Sequence, residues 1–513
     1  MKRINFLIFA FIALSACLFS CSGREPFEIS KTEGGVIIED YRGGETEIYV
    51  PETIDGETVV GIGEFAFANC QSIKKVHIPD SVRSIGSYAF TNCARMTEIT
   101  LENENTELGK LVFFGCISLG SADLGELTVI PEGTFKNCAS LKTVEHGELT
   151  EIGDEAFSGC GSLDYIHIPS TLESVGKKAF FGCGSLESLV FGESLTYLGG
   201  YCFSGVSADI DISRCAGYTK IEEDTFSEYF GEKLTIPASV EEAAGGAFKG
   251  CTAEIILSED CKLTVLSNMF FEYAGDKITI LAPIEKIVQG TFSGTDAEVI
   301  FGDKVKLREL GEGAFEGYLG KLIVIPASVE RIGEYAFGSA KCDILFEEGS
   351  VLRELSAYSF ATWEGRSIVL PESVEIIGEN AFYCAVSMKT LPLTDNIKSI
   401  GEGAFSYCQS IRSAEFPSSV KELAASVLEG CNSLESVTLH DGIESIGERA
   451  FAGCRGLERF YMGNGVKYIG KDAFDQCEAL LTIDYNGTEA EWALITIDGG
   501  SLSLYIAEPN FLK

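Results

Sequence analysis

Basic residues are scarce in this sequence. Its 513 residues include 39 lysines and arginines against 77 aspartates and glutamates, so the formal net charge is −38. A surface this acidic repels phosphate backbones, which argues against nucleic acid as a partner. Prolines number only 12 and 45% of the residues are hydrophobic, so the composition is that of a folded chain rather than a disordered one.

Long apolar runs are also rare, and the clearest lies at the N-terminus. Lys2 and Arg3 precede the almost wholly apolar stretch 4–14, which has the length of a secretory signal and is too short to span a bilayer. Two lipobox-like sequences follow, LSAC and LFSC, which end at Cys17 and Cys21. We expect a bacterial signal peptide over residues 1–21 and a lipid on one of these cysteines. A plain cleaved signal peptide is the alternative.

One pattern fills the rest of the chain, as in SIGSYAFTNCARMTEITL and SIGERAFAGCRGLERFYM. Its phenylalanine returns every 22 or 23 residues in nineteen units, with leucine in one of them. A fixed short period predicts a solenoid of stacked coils rather than separate globular domains. The marker residues are Phe67, Phe90, Phe113, Phe135, Phe157, Phe180, Phe203, Phe226, Phe248, Phe270, Phe292, Phe315, Phe337, Phe360, Phe382, Phe405, Leu428, Phe451 and Phe474.

The apolar positions within a unit predict its local structure. An aliphatic residue such as Ile85 stands five positions before the marker, and a Cys-x-x-Leu segment follows the marker. Alternating apolar residues such as Val76 and Ile78 then predict a strand, which an Ile-Pro step ends. Glycines such as Gly86 permit a turn. We expect a short helical turn around each marker and parallel stacking of the strands.

The central coils, residues 203–382, depart from this pattern. Their loop after the marker is shortened, and markers two coils apart are separated by 44 or 45 residues. Only Cys251 keeps the cysteine three positions after the marker, where other coils carry residues such as Val206, Tyr229 and Trp363. The spacing predicts tandem growth of a two-coil unit inside one continuous solenoid.

The two ends differ from the repeats and are expected to act as caps. Residues 22–58 contain strand-like runs separated by paired glycines, which predicts a hairpin-type β cap. Residues 59–487 form the predicted solenoid, and residues 488–513 the C-terminal cap. Thr488 and Glu491 have capping-box spacing for a short helix, and Trp492 is expected to cover the end of the core.

The unit IPxSVxxIGxxAFxxCxSLxxVxIP closely resembles the BspA-type leucine-rich repeat. Residues 79–90 and 169–180 carry the resemblance well, and it extends over residues 27–508. It implies a leucine-rich-repeat-like, right-handed coil with a parallel β-sheet face. Some members of this family are surface proteins that bind host extracellular proteins or other bacteria. The resemblance carries over no binding residues, and the shortened central loops depart from it.

Apart from Cys17 and Cys21, the 18 cysteines are placed for packing rather than for chemistry. Eleven of them, such as Cys93 and Cys116, follow the marker by three positions and lack the close pairing that zinc sites need. Parallel side chains in register point the same way, which disfavours disulfides, so we predict a ladder of small buried thiols. The irregular cysteines expected to be buried singly are Cys202, Cys215, Cys261, Cys342 and Cys384.

Catalytic and metal-binding patterns are missing from the sequence. Among the four histidines, His77 and His167 share an outward strand position, but four coils at ~4.8 Å each put about 19 Å between them. That separation excludes a shared metal ion or a dyad. Phosphate-binding glycine loops, His-Glu-x-x-His and Gly-x-Ser-x-Gly are absent. We therefore predict no catalytic residue, no metal site, no cofactor and no enzyme activity.

The outward position between the two inward strand residues changes character along the chain. In the central coils it holds Ile256, Ile300, Val324, Leu345 and Val369, with threonines between them. Parallel strands would align these five residues into an apolar stripe about 25 Å long, a feature that often marks an interaction site. Alternatively, the shortened loops cover the stripe or both strand faces are buried. In the outer coils the position holds His77, Thr100, Asp123, Glu145, His167, Glu415, Thr438 and Asp484.

These patterns favour a binding protein over an enzyme. We expect an adhesin or receptor at the cell surface or outer envelope of a bacterium, joined to the membrane by a lipid. Its central stripe would bind a protein partner, either a host extracellular protein or another bacterium. The alternatives are an envelope scaffold without a specific ligand and, less favoured, an enzyme that acts on glycan or peptide.

Overall fold

The computed structural model describes residues 26–101, 106–500, 504 and 507–513. The expected signal peptide, with both candidate lipidation sites Cys17 and Cys21, lies outside the described residues. In the described part of the chain, no helix has the length and apolar character needed to cross a membrane.

The chain forms two compact units. Unit 1 takes in Met1–Leu149 and Ala156–Ile166, and unit 2 takes in Thr150–Glu155 and His167–Lys513. Each unit is described by itself below.

Two kinds of strand recur in the coils, and both follow from the alternating apolar residues. The long strand follows Cys-x-x-Leu and buries residues such as Val76 and Ile78, whereas the short strand ends on the aliphatic residue before the glycine, such as Ile85. The strands of unit 1 are β1 (Phe27–Thr32), β2 (Gly35–Tyr41), β3 (Glu47–Tyr49), β4 (Thr53–Ile54), β5 (Glu57–Ile62), β6 (Lys75–Ile78), β7 (Ser84–Ile85), β8 (Glu98–Leu101), β9 (Glu107–Leu108), β10 (Ser121–Asp123), β11 (Val129–Ile130), β12 (Thr143–Glu145) and β14 (Tyr165–Ile166).

Unit 1 stacks its strands in parallel, as predicted. The long strands pair in the order β3, β6, β8, β10, β12 and β14, and the short strands β5, β7 and β9 form a second ladder. Strands β1 and β2 form the expected antiparallel hairpin, and β2 pairs in parallel with β5. The hairpin therefore covers the edge of the first coil.

Unit 2 continues the same alternation of long and short strands. Its elements are β13 (Glu151–Ile152), β15 (Ser174–Val175), β16 (Ser188–Val190), β17 (Tyr197–Leu198), β18 (Asp209–Asp211), β19 (Lys220–Ile221), β20 (Lys233–Ile236), β21 (Glu242–Ala243), β22 (Glu254–Leu257), β23 (Val265–Ser267), β24 (Lys277–Ile280), β25 (Lys286–Val288), β26 (Glu298–Phe301), β27 (Glu309–Leu310), β28 (Leu322–Ile325), β29 (Arg331–Ile332), β30 (Asp343–Phe346), β31 (Glu354–Leu355), β32 (Ile376–Ile377), β33 (Ser399–Ile400), β34 (Ser413–Glu415), β35 (Glu422–Leu423), β36 (Ser436–Leu439), β37 (Ser445–Ile446), β38 (Arg459–Met462), β39 (Tyr468–Ile469), β40 (Thr482–Tyr485), α1 (Glu489–Trp492), β41 (Thr496–Ile497) and β42 (Glu508–Phe511).

The long strands of unit 2 form several separate parallel ladders. These are β16 with β18, then β20 to β26, then β28 with β30, and finally β34 to β42. The short strands from β23 to β33 pair without a break on another face of the coils. Both units are thus parallel β-solenoids, which confirms the predicted fold class.

The segments around the markers are not helical, which corrects one part of the prediction. In every coil the residues two positions before and two positions after the marker are left-handed, such as Tyr335 (φ 51°) and Ser339 (φ 55°) around Phe337. A helix needs negative φ throughout. The Phe337 N–H instead donates to Ser359 O of the next coil, at 2.8 Å. The marker segments therefore form tight turns and a third column of bonds between coils.

Stacked phenylalanines and thiols fill the core of each coil. In unit 1 neighbouring marker rings lie 4.9 to 5.7 Å apart, close to parallel. The Cys93 thiol donates to Phe67 O, and the Cys116 thiol to Phe90 O, each at 3.1 Å. Ten of the eleven ladder thiols are buried, which confirms the predicted ladder, whereas the first of them, Cys70, is half-buried. Among the irregular cysteines, Cys384 is half-buried and so departs from the expectation.

The C-terminal segment of unit 2 begins with the predicted capping box. The Thr488 hydroxyl accepts a hydrogen bond from Glu491 N, and the Glu491 carboxylate accepts one from Thr488 N. This starts the single turn α1 and places the ring of Trp492 5.3 Å from that of Tyr485. Because Tyr485 is buried, Trp492 lies over the edge of the last coils.

Candidate protein-binding face

Four of the predicted binding residues, Ile256, Ile300, Val324 and Leu345, lie on the outer side of long strands of unit 2, and Val369 follows the isolated bridge at Ile368. None of them is buried, so the loops do not cover the stripe and the two strand faces are not both buried. Ile256, Ile300 and Val324 are half-buried, whereas Leu345 is 51% exposed and Val369 is 70% exposed. Exposure therefore rises towards the C-terminal end of the stripe.

Strand register aligns these residues, together with two threonines, into what we call the outward row. It consists of Thr235, Ile256, Thr279, Ile300, Val324, Leu345 and Val369. Thr235 pairs with Ile256, Ile256 with Thr279, and Thr279 with Ile300 on β20 to β26. Val324 pairs with Leu345, and a bridge between Ile344 and Ile368 places Val369 next along the row.

The outward row is interrupted once, which the sequence analysis did not predict. Strands β26 and β28 have no paired residues, so the ladder stops at Ile300 and resumes at Val324. The first inward strand residue follows the marker by seven positions at Val299 but by eight at Ile323. The same change from seven to eight separates Ile255 from Ile278, whose strands remain paired, so this spacing alone does not open the sheet.

An aromatic side chain explains why the central coils come in pairs. Tyr318 is fully buried at the position of the usual cysteine, and its hydroxyl donates to Ala297 O of the preceding coil at 2.5 Å. Burial raises the pKa of the Tyr318 phenol, so the hydroxyl remains protonated and able to donate. Tyr229, Tyr273 and Trp363 make the same bond to the coil before them. Large residues thus alternate with small ones from coil to coil.

A groove of about 550 Å³ lies where β26 and β28 separate. Its apolar surface comes from Ile300 and Val324 of the outward row and from Leu322, which is 46% exposed. The carboxylates of Asp296 and Glu298 lie on its wall, and both side chains belong to exposed residues. The groove therefore joins an apolar floor to a negatively charged rim.

Leu322 is a site residue that the sequence analysis missed. It occupies the first outward position of its strand, which in the neighbouring coils is charged: Lys277, Glu298 and Asp343. Lys277 forms a 3.1 Å ion pair with Glu254 across the coils, and Leu322 interrupts that row of charges. The departure from a charged position was the signal that could have identified it.

A second groove in unit 2, of about 540 Å³, is more polar. It lies between β18 and β20, which also have no paired residues. Asp209, Asp211 and Glu232 line it together with Lys233, and Thr235 occupies the place of an apolar residue in the outward row. This groove lacks the apolar floor of the first one.

The outer coils mostly present polar side chains at the same outward position, as predicted. In unit 1 Asp123 and Glu145 are exposed, and in unit 2 Glu415 and Thr438 are exposed. Val190 is an exposed apolar exception that the sequence analysis overlooked. Residues 26–101, 106–500 and 507–513 contain no group of three His, Cys, Asp or Glu side chains placed to hold a metal ion.

Comparison with known families identifies the repeat. The sequence matches the family described as BspA type leucine rich repeat region, in six copies, over residues 48–148, 128–255, 263–383 and 353–481. These ranges take in most of the repeats of both units and most of the central coils. No curated protein matches the chain.

Solved structures of bacterial leucine-rich repeat proteins are similar to the chain. A leucine rich cell surface protein from Faecalibacterium prausnitzii A2-165 is 22% identical, with 93% of this chain and 98% of that one covered and a TM-score of 0.28. A leucine-rich repeat protein from Bacteroides ovatus ATCC 8483 is 20% identical over 96% and 100%, with a TM-score of 0.32. The pneumococcal vaccine antigen PcpA is 15% identical over 95% and 96%, with a TM-score of 0.28.

Proposed function

Because the chain belongs to the BspA type leucine-rich repeat family, we propose that it is a bacterial cell-surface binding protein. Its central face in unit 2, formed by the outward row and the groove between β26 and β28, takes up a protein partner. A lipid on Cys17 or Cys21 holds the chain on the membrane. The proposal makes the chain an adhesin or receptor and assigns it no catalytic role.

The exposure of Leu345 and Val369 carries this proposal. Both are large apolar side chains that water solvates poorly. Leu345 pairs with Val324 across β28 and β30, and Val369 follows Ile368, which bridges to Ile344. Because the strand period is two residues, the inward positions are already taken by Ile344 and Ile323. Contiguous apolar surface held this rigidly is typical of a protein-interaction site.

The contrast with the outer coils favours a specific site over a general scaffold. A scaffold without a ligand has no reason to change one outward position from polar to apolar in consecutive coils. Asp123 and Glu145 keep that position polar in unit 1, and Glu415 does so in unit 2. The apolar change is largely confined to the coils that also carry the aromatic pairs.

Binding is tested with residues 22–513 as bait against host extracellular-matrix proteins and bacterial surface proteins. A captured protein is purified, and its affinity is measured for the wild type and for the variant Ile300→Ser/Val324→Ser/Leu345→Ser. We expect affinity to fall at least tenfold, because each apolar anchor at an interface centre contributes about 1 kcal/mol or more. Far-UV circular dichroism and thermal melting establish that the variant is folded.

A matched control changes three apolar residues elsewhere in unit 2. Val190, Val265 and Ile376 are all exposed, and the last two lie on the short strands. Their joint change to serine should leave affinity unaltered. If the central variant folds and binds normally, the outward row is not the site. If it misfolds, the row belongs to the core.

Surface exposure is tested separately by proteolysis of intact cells. We expect external protease to digest the chain while a cytoplasmic marker protein survives. Survival of both proteins would contradict a cell-surface location without bearing on the binding face.

A further inference from the structure

The groove between β26 and β28 combines two features that occur together nowhere else among the three grooves described in unit 2. Its floor is apolar, with Ile300, Leu322 and Val324, and its rim carries the carboxylates of Asp296 and Glu298. Asp276 and Glu347 add two further negative charges, against a single positive charge from Lys321. A ligand for this groove therefore needs both an apolar part and a positive charge.

Asp296 and Glu298 form no ion pair with a described lysine or arginine side chain, unlike other carboxylates of unit 2. Glu254 pairs with Lys277 at 3.1 Å and Glu375 with Lys398 at 2.7 Å. Within the described residues, neither Asp296 nor Glu298 has a lysine or arginine within 4.0 Å. The nearby Lys321 forms no such pair either. The rim is left with negative charge that no side chain in the described part of the chain neutralises.

A third groove, on the short strands of unit 2, differs because its carboxylates already have cations beside them. It has a volume of about 440 Å³ and is lined by Glu309, Glu312, Lys286 and Arg331. Glu309 there is already paired with Lys286 at 3.0 Å and with Arg331 at 3.5 Å. That groove is nearly neutral and has little apolar lining, so it needs no external cation.

The width of the groove decides which part of a partner enters. Cα atoms of β26 and β28 come within 8 Å of each other. Inserting a strand between two others requires about 9.5 Å, twice the usual spacing of paired strands. A partner's main chain therefore does not add to this sheet at the break. A side chain of the partner is then the part that can enter the groove of about 550 Å³ above this break.

We propose that this groove binds an arginine side chain of the protein partner. The aliphatic stem lies on Ile300 and Val324, and the guanidinium reaches the carboxylates of Asp296 and Glu298. Arginine suits this groove better than lysine, because its planar head offers five donors and is more weakly hydrated. Charge-assisted hydrogen bonds to two carboxylates then fix the register of the partner along the outward row. This inference rests on the proposed function.

The test uses the full-length chain in detergent and a fluorescent peptide, Gly-Ser-Arg-Leu-Arg-Ser-Gly, with both termini blocked. We expect saturable binding by fluorescence anisotropy, and binding that weakens as salt is raised. Replacing both arginines by citrulline keeps the shape but removes the charge, and should abolish binding. Replacing them by lysine should weaken it about threefold or more.

The variant Asp296→Asn/Glu298→Gln should weaken peptide binding about tenfold. Its matched control is Glu309→Gln/Glu312→Gln, which removes the same charge from the groove on the short strands and should change affinity less than twofold. Equal loss in the two variants would show general attraction to an acidic protein and overturn the proposal. Equal binding of the arginine and citrulline peptides would also overturn it.

The proposed function can fail or survive independently of this inference. If Ile300→Ser/Val324→Ser/Leu345→Ser abolishes capture of a natural partner while Asp296→Asn/Glu298→Gln leaves it intact, the face is correct and the arginine groove is wrong. If neither variant affects capture but the peptide still binds with the stated pattern, the groove is correct and the natural partner uses another surface.

Discussion

Gly320 lies directly beside the ring of Tyr318, which folds back under its own loop. A Cβ atom built on Gly320 would come within 2.1 Å of the Tyr318 hydroxyl oxygen and 2.2 Å of the ring carbon that bears it. No real side chain occupies such a position, so only glycine fits. The aromatic residue and the glycine two positions later therefore act together to form the shortened loops of the central coils.

The first prediction concerns that pair. Gly320→Ala should destabilise its coil by about 1–3 kcal/mol, because the added methyl group displaces a buried ring. Hydrogen exchange should quicken in the peptides that cover β28 and β30. Gly499→Ala is the control, since nothing lies within 4 Å of a Cβ at that position. Equal exchange rates in the two variants would contradict the steric account.

The second prediction concerns the marker ladder of unit 1. Phe157 is fully buried with its ring 5.5 Å from that of Phe135, so Phe157→Ala should cost about 3–5 kcal/mol locally. Coils depend on their neighbours, and faster hydrogen exchange should therefore spread to β12 and β14. Tyr165→Ala removes a side chain that is 59% exposed and should have little effect. Unchanged melting of the Phe157 variant would exclude a structural role for the ladder.

The coil architecture could be predicted because a single coil cannot bury its own apolar face. The Phe90 ring stacks between the rings of Phe67 and Phe113. Because each coil must place its phenylalanine over the one before, the repeat length remains nearly constant, and the regular spacing of phenylalanine in the sequence shows it. The same constraint fixes Val76 and Ile78 inward and His77 outward on the strand. Period and alternation were therefore enough to place the outward row.

The shape of the marker segments could not be predicted from local preference. Glycine and asparagine, which tolerate left-handed backbone, do occur there, as at Asn69 and Gly159. But Phe65 and Tyr88 are also left-handed, and neither residue favours that conformation. The Phe65 N–H donates to Ser87 O of the next coil at 3.2 Å, and the Phe65 ring stacks on that of Tyr88 at 4.9 Å, so contacts between coils accompany the left-handed backbone. Sequence periodicity does not reveal such contacts.

The break in the outward row was similarly hidden. The change from seven to eight residues between marker and strand is visible at Phe292 and Phe315. This change does not by itself open the sheet, because β22 and β24 remain paired across the same change, with Tyr273 bonded as Tyr318 is. The spacing between marker and strand therefore does not reveal where the grooves open.

The third prediction concerns the N-terminal cysteines. Metabolic labelling with an alkyne fatty acid should tag the wild-type chain but not Cys17→Ser/Cys21→Ser, because the lipid attaches to the cysteine that follows the cleavage site. The single variants then identify which lipobox is used. Cys384→Ser is the control for labelling of other thiols and should leave the signal unchanged. Equal labelling of the double variant would show that the lipid is attached elsewhere in the chain and that neither lipobox is used.

The fourth prediction follows from the buried thiols. Burial raises the pKa of Cys431 from its usual 9.0 to about 12, and that of Cys477 likewise to about 12. In the unfolded chain these thiols ionise near pH 9, whereas in the folded chain they remain protonated. Their contribution to stability is therefore complete below pH 9 and is lost as the pH rises towards 12, at about 1.4 kcal/mol per pH unit for each thiol.

Thermal melting between pH 7.5 and pH 10.5, in reducing agent, measures this effect. The Cys431→Ala variant should melt lower than the wild type at pH 7.5, because it loses buried volume and the hydrogen bond to Phe405 O at 3.2 Å. The difference should shrink as the pH rises, since the variant has one fewer buried thiol to keep protonated. Cys384→Ala serves as the control, because that thiol is only half-buried. If the melting curves of Cys431→Ala and the wild type stay parallel up to pH 10.5, ionisation of the thiol ladder does not limit alkaline stability.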